Sequence, residues 1–236
     1  MKNKMGSKIS IIIPTFNEEK YIGLILNHIR NFFKGPNYEI IVSADGCTDN
    51  TPYIINKLSK VDRRIKIVNT RKRLGKGGGL KKGFYTSSGK IIVFADADMS
   101  CSASEISKLI ELIKNADIVI ASRAIKGANV VKRQSFIREH MGKTFNLLVR
   151  LILGINLKDT QCGYKVFKRH VLEKLLPNVK SNGWEFDAEL LFRATKGNYK
   201  IHEVGVKWKN RKESKLSIFP DSLRMLLGLI KIRLSD

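Results

Sequence analysis

Five short apolar runs, at residues 9–13, 39–43, 65–68, 91–95 and 117–121, punctuate the first half of the chain. The stretches between them have helical length and helical apolar spacing. Tyr21, Ile22, Leu24, Ile25 and Ile29 make one face, Tyr53, Ile54, Ile55 and Leu58 a second, and Ile106, Leu109, Ile110 and Ile113 a third. Strands alternating with amphipathic helices predict βαβ units around a mainly parallel sheet. Sheets of that kind take their ligands at the carboxyl ends of the strands. The polar motifs fall at those ends: residues 14–19 after the first run, 45–51 after the second, Asp96-Ala97-Asp98 after the fourth and Ser122-Arg123 after the fifth.

Asp96 and Asp98 follow the run Ile91-Ile92-Val93-Phe94. On extended backbone, side chains two residues apart leave the same face. Two carboxylates held that close repel, and a hard divalent cation relieves the repulsion, taking carboxylate oxygens together with substrate phosphates. The alternative is a plain polar strand end.

The net charge of +23 asks for an anionic partner. From Arg123 onward there are 24 Lys/Arg against 10 Asp/Glu, so the second half is the more basic. Nucleic acid, an anionic membrane surface and phosphorylated substrates all suit such a charge. Nucleic acid is the weakest of these. Only 8% of residues are aromatic, no nucleic-acid motif is present, and the acids gather at strand ends. The three cysteines, Cys47, Cys101 and Cys162, are scattered without metal or disulfide spacing. Residues 1–8 lack the apolar core of a signal peptide. No apolar run approaches the ~20 residues a spanning helix needs.

The second half predicts a long helix over 135–153, a Gly-containing loop at 159–163, a short strand, a helix over 186–196, a strand over 201–206, a basic loop at 207–215 and a last helix from about 220. Several motifs keep two readings. Asn17 serves as a helix N-cap or as part of a ligand loop beside Phe16 and Glu18. Thr48 or Asp49 suits a cap, whereas Asp45 has no evident structural task and could accept from a base N–H. The run Leu74-Gly75-Lys76-Gly77-Gly78-Gly79 departs from the nucleotide-binding G-x-x-x-x-G-K-[ST] pattern. It is either a phosphate approach, with Lys76 as the cation, or a flexible helix entry. Arg123 at a strand end suits bidentate phosphate contact. The four histidines make no ligand or acid–base pattern.

These residues resemble family-2 glycosyltransferases of GT-A fold, in the branch that glycosylates polyprenyl phosphates. Residues 13–18, Asp45-Gly46 with Asp49, Asp96-Ala97-Asp98 and Ser122-Arg123 carry the general likeness. The stretches 132–138, 159–167, 184–191 and 214–216 look like dolichyl-phosphate β-glucosyltransferases, with dolichyl-phosphate mannosyltransferases second. The likeness runs over about residues 9–233.

The resemblance implies an α/β, Rossmann-like GT-A domain over 1–236. It divides into a nucleotide-sugar half (1–122), an acceptor half (123–218) and an amphipathic membrane-surface helix (219–236). It implies that Pro14, Phe16, Glu18, Ser43 and Asp45 contact the nucleoside. Asp96 and Asp98 would hold Mg²⁺ or Mn²⁺ and the diphosphate, with Ala97 beside them and Lys76, Lys209 and Lys215 on the phosphates. Arg123, Arg138 and Lys215 would bind the lipid phosphate. Asp159 and Asp187, in the most specific stretches, would be catalytic or would orient the arginines, with orientation favoured. The implied reaction transfers a hexose, UDP-glucose favoured over GDP-mannose, to dolichyl phosphate with inversion, at the cytoplasmic face of a membrane and without a spanning helix. Three positions depart from the family pattern. Ala44 replaces the first of two acids, Ser100 stands where mannosyltransferases have Gln, and Lys209 stands where Arg is common.

Overall fold

The computed structural model describes residues 7–132, 136–210 and 218–235, with the side chains of 132–140 and 218–222 outside the description. The first half alternates as its patterning requires: β1 (Ile9–Thr15), α1 (Ile22–Phe32), β2 (Tyr38–Asp45), α2 (Thr51–Val61), β3 (Ile65–Thr70), α3 (Lys76–Thr86), β4 (Ile91–Phe94), α4 (Ala103–Leu112) and β5 (Ile118–Ser122). The second half adds β6 (Asn129–Lys132), α5 (Phe136–Leu153), β7 (Lys165–Lys168), α6 (Arg169–Leu175), α7 (Phe186–Lys196), β8 (Ile201–Gly205), β9 (Lys207–Lys209) and α8 (Ile218–Leu234).

Seven strands form one sheet in the order β3-β2-β1-β4-β7-β5-β8. All neighbours are parallel except β7, which lies antiparallel between β4 and β5. The expected mainly parallel α/β sheet with flanking helices is therefore present. The antiparallel insertion is a feature that local patterning does not encode. A second, two-stranded ribbon pairs β6 with β9, so the start of the expected basic loop is a strand.

Period-two alternation divides each central strand between two cores. Ile9, Ile11 and Ile13 face the α1, α2 and α4 side, while Ile12 faces α3, α6 and α7. In β4, Ile91 and Val93 join the first core and Ile92 and Phe94 the second. Helix α3 comes close to the sheet because it is glycine-rich: a Cβ at Gly83 would run into Ile12, and one at Gly77 into the Phe186 ring of α7. A third core joins α5, α7 and α8 through Val149, Leu153, Phe192, Leu229 and Ile232. The last helix is thus half embedded. Leu223, Leu227 and Ile230 remain exposed, as do Leu147 and Leu151 of α5. Among the described residues no helix is long and apolar enough to cross a membrane.

The parallel strands β1, β2, β4 and β5 all end at one edge of the sheet. β7 begins there, because Lys165 pairs with Phe94 and Ile120. The loop 159–164 is delivered to the edge where the acidic motifs emerge.

Candidate active site

Strand β4 stops at Phe94, so Asp96 and Asp98 stand on a turn and not on extended backbone. The same-face reading from strand spacing is corrected accordingly. Asp98 bends back on its own chain: its carboxylate accepts the Ser100 N–H at 2.9 Å and the Ser100 hydroxyl at 2.5 Å. Met99 takes a left-handed φ of 51° to allow this. The Tyr164 hydroxyl donates to Asp98 at 3.2 Å. The two carboxylates still sense each other, since burial first and then the Asp96 charge push the Asp98 carboxyl above its ordinary range. Ser100 supports Asp98 and is itself buried.

Among the described residues no group of three or more His, Cys, Asp or Glu is arranged around a cation. The Asp96–Asp98 pair nonetheless suits a hard divalent ion of the Mg²⁺ kind. Such ions are commonly bound by one or two carboxylates, with substrate phosphates and water completing the shell. Two like charges that sense each other, with a single lysine paired to one of them, are the donor chemistry that fits.

That lysine is Lys76, the first residue of α3. Its ammonium lies 3.1 Å from Asp96 and 3.0 Å from Asp187. Asp187, at the start of α7 and buried, is also held by Lys165 at 2.6 Å. Lys165 is fully buried and donates as well to the Cys162 carbonyl. Burial opposes the charge on Asp187, but the two lysines overcome it and hold the carboxyl below its usual range. A chain of alternating charge thus runs Lys165, Asp187, Lys76, Asp96. Lys165 escaped the sequence reading. Its signal was a lysine heading the strand run Lys165-Val166-Phe167, which demands a buried carboxylate.

The glycine run is a helix entry held by protein partners. Gly77 and Gly78 both donate to the Asn182 carbonyl, at 2.8 and 3.2 Å. Asp45 does have a structural task. It is buried and accepts from Leu74 and Gly75 N–H at 2.7 and 2.8 Å and from the Thr70 hydroxyl at 3.1 Å. It shapes the loop leading into α3. Ser43 is completely buried, its hydroxyl unpartnered close to Gly79. Asn17 does not cap α1. It exchanges hydrogen bonds with Thr48, at 2.8 and 3.0 Å, and joins the first two polar loops. Asp49 accepts from the Thr51 N–H at 3.0 Å, at the mouth of α2. Pro14, Phe16 and Glu18 are half-buried at this mouth. The Arg73 guanidinium lies 3.9 Å over the Phe16 ring, a contact the sequence reading missed.

On the other side of Asp96, Arg123 leaves the end of β5. Asp159 receives it with both oxygens, from Nε at 2.7 Å and Nη2 at 2.9 Å. The guanidinium also lies 5.0 Å from the centre of the Trp208 ring. The Asp159 loop is anchored in turn. Glu203 takes its N–H at 2.8 Å, and Asn146 of α5 takes the Thr160 N–H at 3.0 Å. Burial raises the Asp159 carboxyl, yet Arg123 outweighs it and keeps the group ionised. Lys209 is exposed on β9, its N–H bonded to the Ser100 carbonyl at 2.9 Å. The backbone of Arg138 lies in α5 but its side chain is outside the described residues, as is Lys215 altogether. Cys162 is buried and its thiol pushed up to about 12, mainly by burial, so it stays unreactive.

Comparison with known proteins fits this geometry. Residues 10–176 match the model of Glycosyl transferase family 2. The chain belongs to that family. It is 33% identical over 249 residues to a dolichyl-phosphate beta-glucosyltransferase of Saccharomyces cerevisiae, covering 96% of this chain and 74% of the yeast protein. It is 30% identical over 224 residues to glycosyltransferase AglD of Haloferax volcanii, covering 93% of this chain but only 36% of that longer protein. Among solved structures it resembles glucosyl-3-phosphoglycerate synthase of Mycobacterium tuberculosis, crystallised with Mn²⁺, UDP and glucosyl-3-phosphoglycerate. The TM-score is 0.76 at 20% identity, over 98% of this chain and 81% of that one. At that identity the likeness speaks for the GT-A fold alone.

Proposed function

We propose that this chain moves glucose from UDP-glucose to a polyprenyl (dolichyl) phosphate, with inversion at the anomeric carbon. The observation that carries the reading is the neighbourhood of two anion sites. The Asp96–Asp98 pair with Lys76 suits a cation-bound diphosphate, and Arg123, gripped by Asp159, suits a phosphate next to it. The two sites are close enough for the Asp96 charge to act on Arg123. A donor diphosphate and an acceptor phosphate repel each other, and a site that must hold both needs cations between and around them.

In this mechanism Asp96 and Asp98 would hold Mg²⁺ or Mn²⁺, with Ala97 beside them. Such an ion, when bound, supplies charge neutralisation on the leaving diphosphate. Lys76, Lys209 and Lys215 add point charges to the phosphates. Pro14, Phe16, Glu18, Ser43 and Asp45 form the nucleoside end, Asp45 and Ser43 from beneath the loop and not at its surface. Arg123 and Arg138, with Lys215, bind the acceptor phosphate. Asp159 orients Arg123, whereas Asp187 holds Lys76 and Lys165 and so orients a lysine in place of the expected arginine. Both are buried and fully engaged, so neither is free to take a proton. None needs to, because a phosphate acceptor is already an anion.

The acceptor is a lipid, and the exposed leucines of α5 and α8 give the chain an apolar surface beside Arg150, Arg224, Lys231 and Arg233. We read this as peripheral attachment to the cytoplasmic face of an anionic membrane. Each cation near such a surface contributes about 1 kcal/mol.

The test is transfer of radiolabel to a polyprenyl phosphate in the presence of Mg²⁺ or Mn²⁺, with UDP-glucose and GDP-mannose in parallel. Label entering the organic phase from UDP-glucose alone supports the reading. Label from GDP-mannose alone changes the donor, and label from neither overturns it.

A further inference from the structure

We propose that Lys76 is a stand-in cation. With no donor bound it occupies a carboxylate oxygen of Asp96 that the divalent ion needs. It yields that oxygen, swinging about Asp187 towards the diphosphate, when ion and donor enter together. The inference rests on the reading of Asp96 and Asp98 as the cation pair.

Three features leave Lys76 as the partner that moves. Asp96 is backed by Gly163, where any Cβ would overlap its carboxylate, so Asp96 has no room to retreat towards β7. Asp187 is pinned by Lys165, which is fully buried and tied to the Cys162 carbonyl, so it cannot follow a departing lysine. Lys76 itself carries its charge on a flexible four-carbon stem at the first position of α3. Its ammonium also lies 5.7 Å from the centre of the Trp184 ring, a cation–π distance, so it has a neighbour to lean on besides the two carboxylates.

Charge balance favours the exchange. Lys76 contacts Asp96 and Asp187, Lys165 contacts Asp187, and Asp98 adds a third carboxylate within reach of Asp96, so three carboxylates meet two ammoniums and one negative charge is in excess. A divalent ion added to that set meets an ammonium already seated on one of its own ligands. Removing the ammonium favours the ion, and a diphosphate arriving with it supplies a new seat for the lysine. Cation binding is therefore weak without donor and strong with it, in an order set by the protein.

The experiment measures Mn²⁺ affinity by electron paramagnetic resonance of the free ion, with and without UDP. The proteins are wild type, Lys76→Gln and Lys76→Arg, each checked for its thermal transition. Without UDP, Lys76→Gln should bind Mn²⁺ at least about tenfold more tightly than wild type, as expected when one positive charge leaves a site a few ångströms away. Lys76→Arg should not. With UDP present, the advantage of Lys76→Gln should vanish. A folded Lys76→Gln that binds Mn²⁺ no more tightly without UDP overturns the proposal. Wild type that fails to bind Mn²⁺ even with UDP overturns the underlying site reading as well.

Should Lys76→Gln fail to fold, wild type labelled with 5-fluorotryptophan gives an independent answer. The chain has two tryptophans, so two fluorine resonances are expected. The Trp184 resonance should move when Mg²⁺ and UDP bind together and stay in place with Mg²⁺ alone. A Trp184 resonance unmoved by Mg²⁺ and UDP, under conditions where calorimetry records their binding, overturns the proposal.

Discussion

Asp159 holds Arg123 from three directions, accepting from its Nε at 2.7 Å, its Nη2 at 2.9 Å and its own backbone N–H at 2.9 Å. The side chain is thereby fixed to the strand that carries it. Removing the carboxylate leaves a largely buried guanidinium unpaired. Asp159→Ala should cost about 3 kcal/mol in chemical denaturation. Asp159→Asn should cost less in stability yet raise KM for the lipid phosphate much more than KM for the donor. Equal effects on both would contradict an acceptor-side role for Arg123.

Gly163 should tolerate no side chain. A Cβ there overlaps the Asp96 carboxylate, and Asp96 has to leave its place. Gly163→Ala is expected to lower kcat/KM by more than about a hundredfold, comparable to losing a transition-state charge contact. The melting temperature should fall by only a few degrees, since overpacking costs about 1–3 kcal/mol and the displaced side chain is 26% exposed. The pair of measurements separates this from ordinary misfolding.

Chelation gives a direct test of the cation pair. Activity should disappear in EDTA and return with Mn²⁺ or Mg²⁺. Asp98→Asn should abolish activity with the circular dichroism spectrum unchanged, because the amide oxygen still accepts from Ser100. Full activity in EDTA would remove the cation from the mechanism.

At the opposite edge of the sheet, Glu39 is buried and accepts from Ser10, Ser88 and Lys66. Burial works against its charge, but those donors win and bring its pKa from 4.5 down to about 2. A depressed carboxylate contributes stability that is full above the unfolded value and lost as pH falls through the folded one. Unfolding free energy should therefore fall between about pH 4.5 and pH 2 by up to about 3 kcal/mol from this group. In Glu39→Gln that part of the pH dependence should flatten.

The two sides of α8 should behave oppositely. Leu229 is fully buried in the α5–α7–α8 core, whereas Leu227 is 58% exposed. Leu229→Ala should cost about 3 kcal/mol. Leu227→Glu should leave the melting temperature nearly unchanged and weaken sedimentation with anionic vesicles. If Leu227→Glu sediments as wild type does, α8 is not the membrane-facing element.

Much of this was legible along the chain because the signals are local. The alternation of runs such as Ile91–Phe94 with helical faces such as Ile106, Leu109 and Ile110 marked the sheet, its helices and hence the strand ends where the polar loops gather. What escaped depends on partners distant in sequence. The antiparallel seating of β7 needs two neighbours, β4 and β5, that only the assembled sheet supplies. The task of Asp45 is to hold amides of residues 74 and 75, and its own neighbours give no hint of them. The pairing of Lys165 with Asp187 spans a helix and a loop. The geometry of Asp96 and Asp98 was misjudged for a related reason. A short polar side chain such as Asp98 competes with the strand by bonding its own backbone two residues on.

The seating of β7 has a consequence for how the protein is made. When residues 1–122 have left the ribosome, five strands exist but β5 has no hydrogen-bonded neighbour among the other four. It joins them only through Lys165–Lys168, and inserting that segment carries the Lys165 ammonium into the interior. The ammonium is tolerated there because Asp187 arrives to meet it, bringing the anchor that Lys76 shares. Seating β7 and anchoring the site thus depend on the same carboxylate, and a nascent chain that stalls before α7 lacks the partner that Lys165 and Lys76 share.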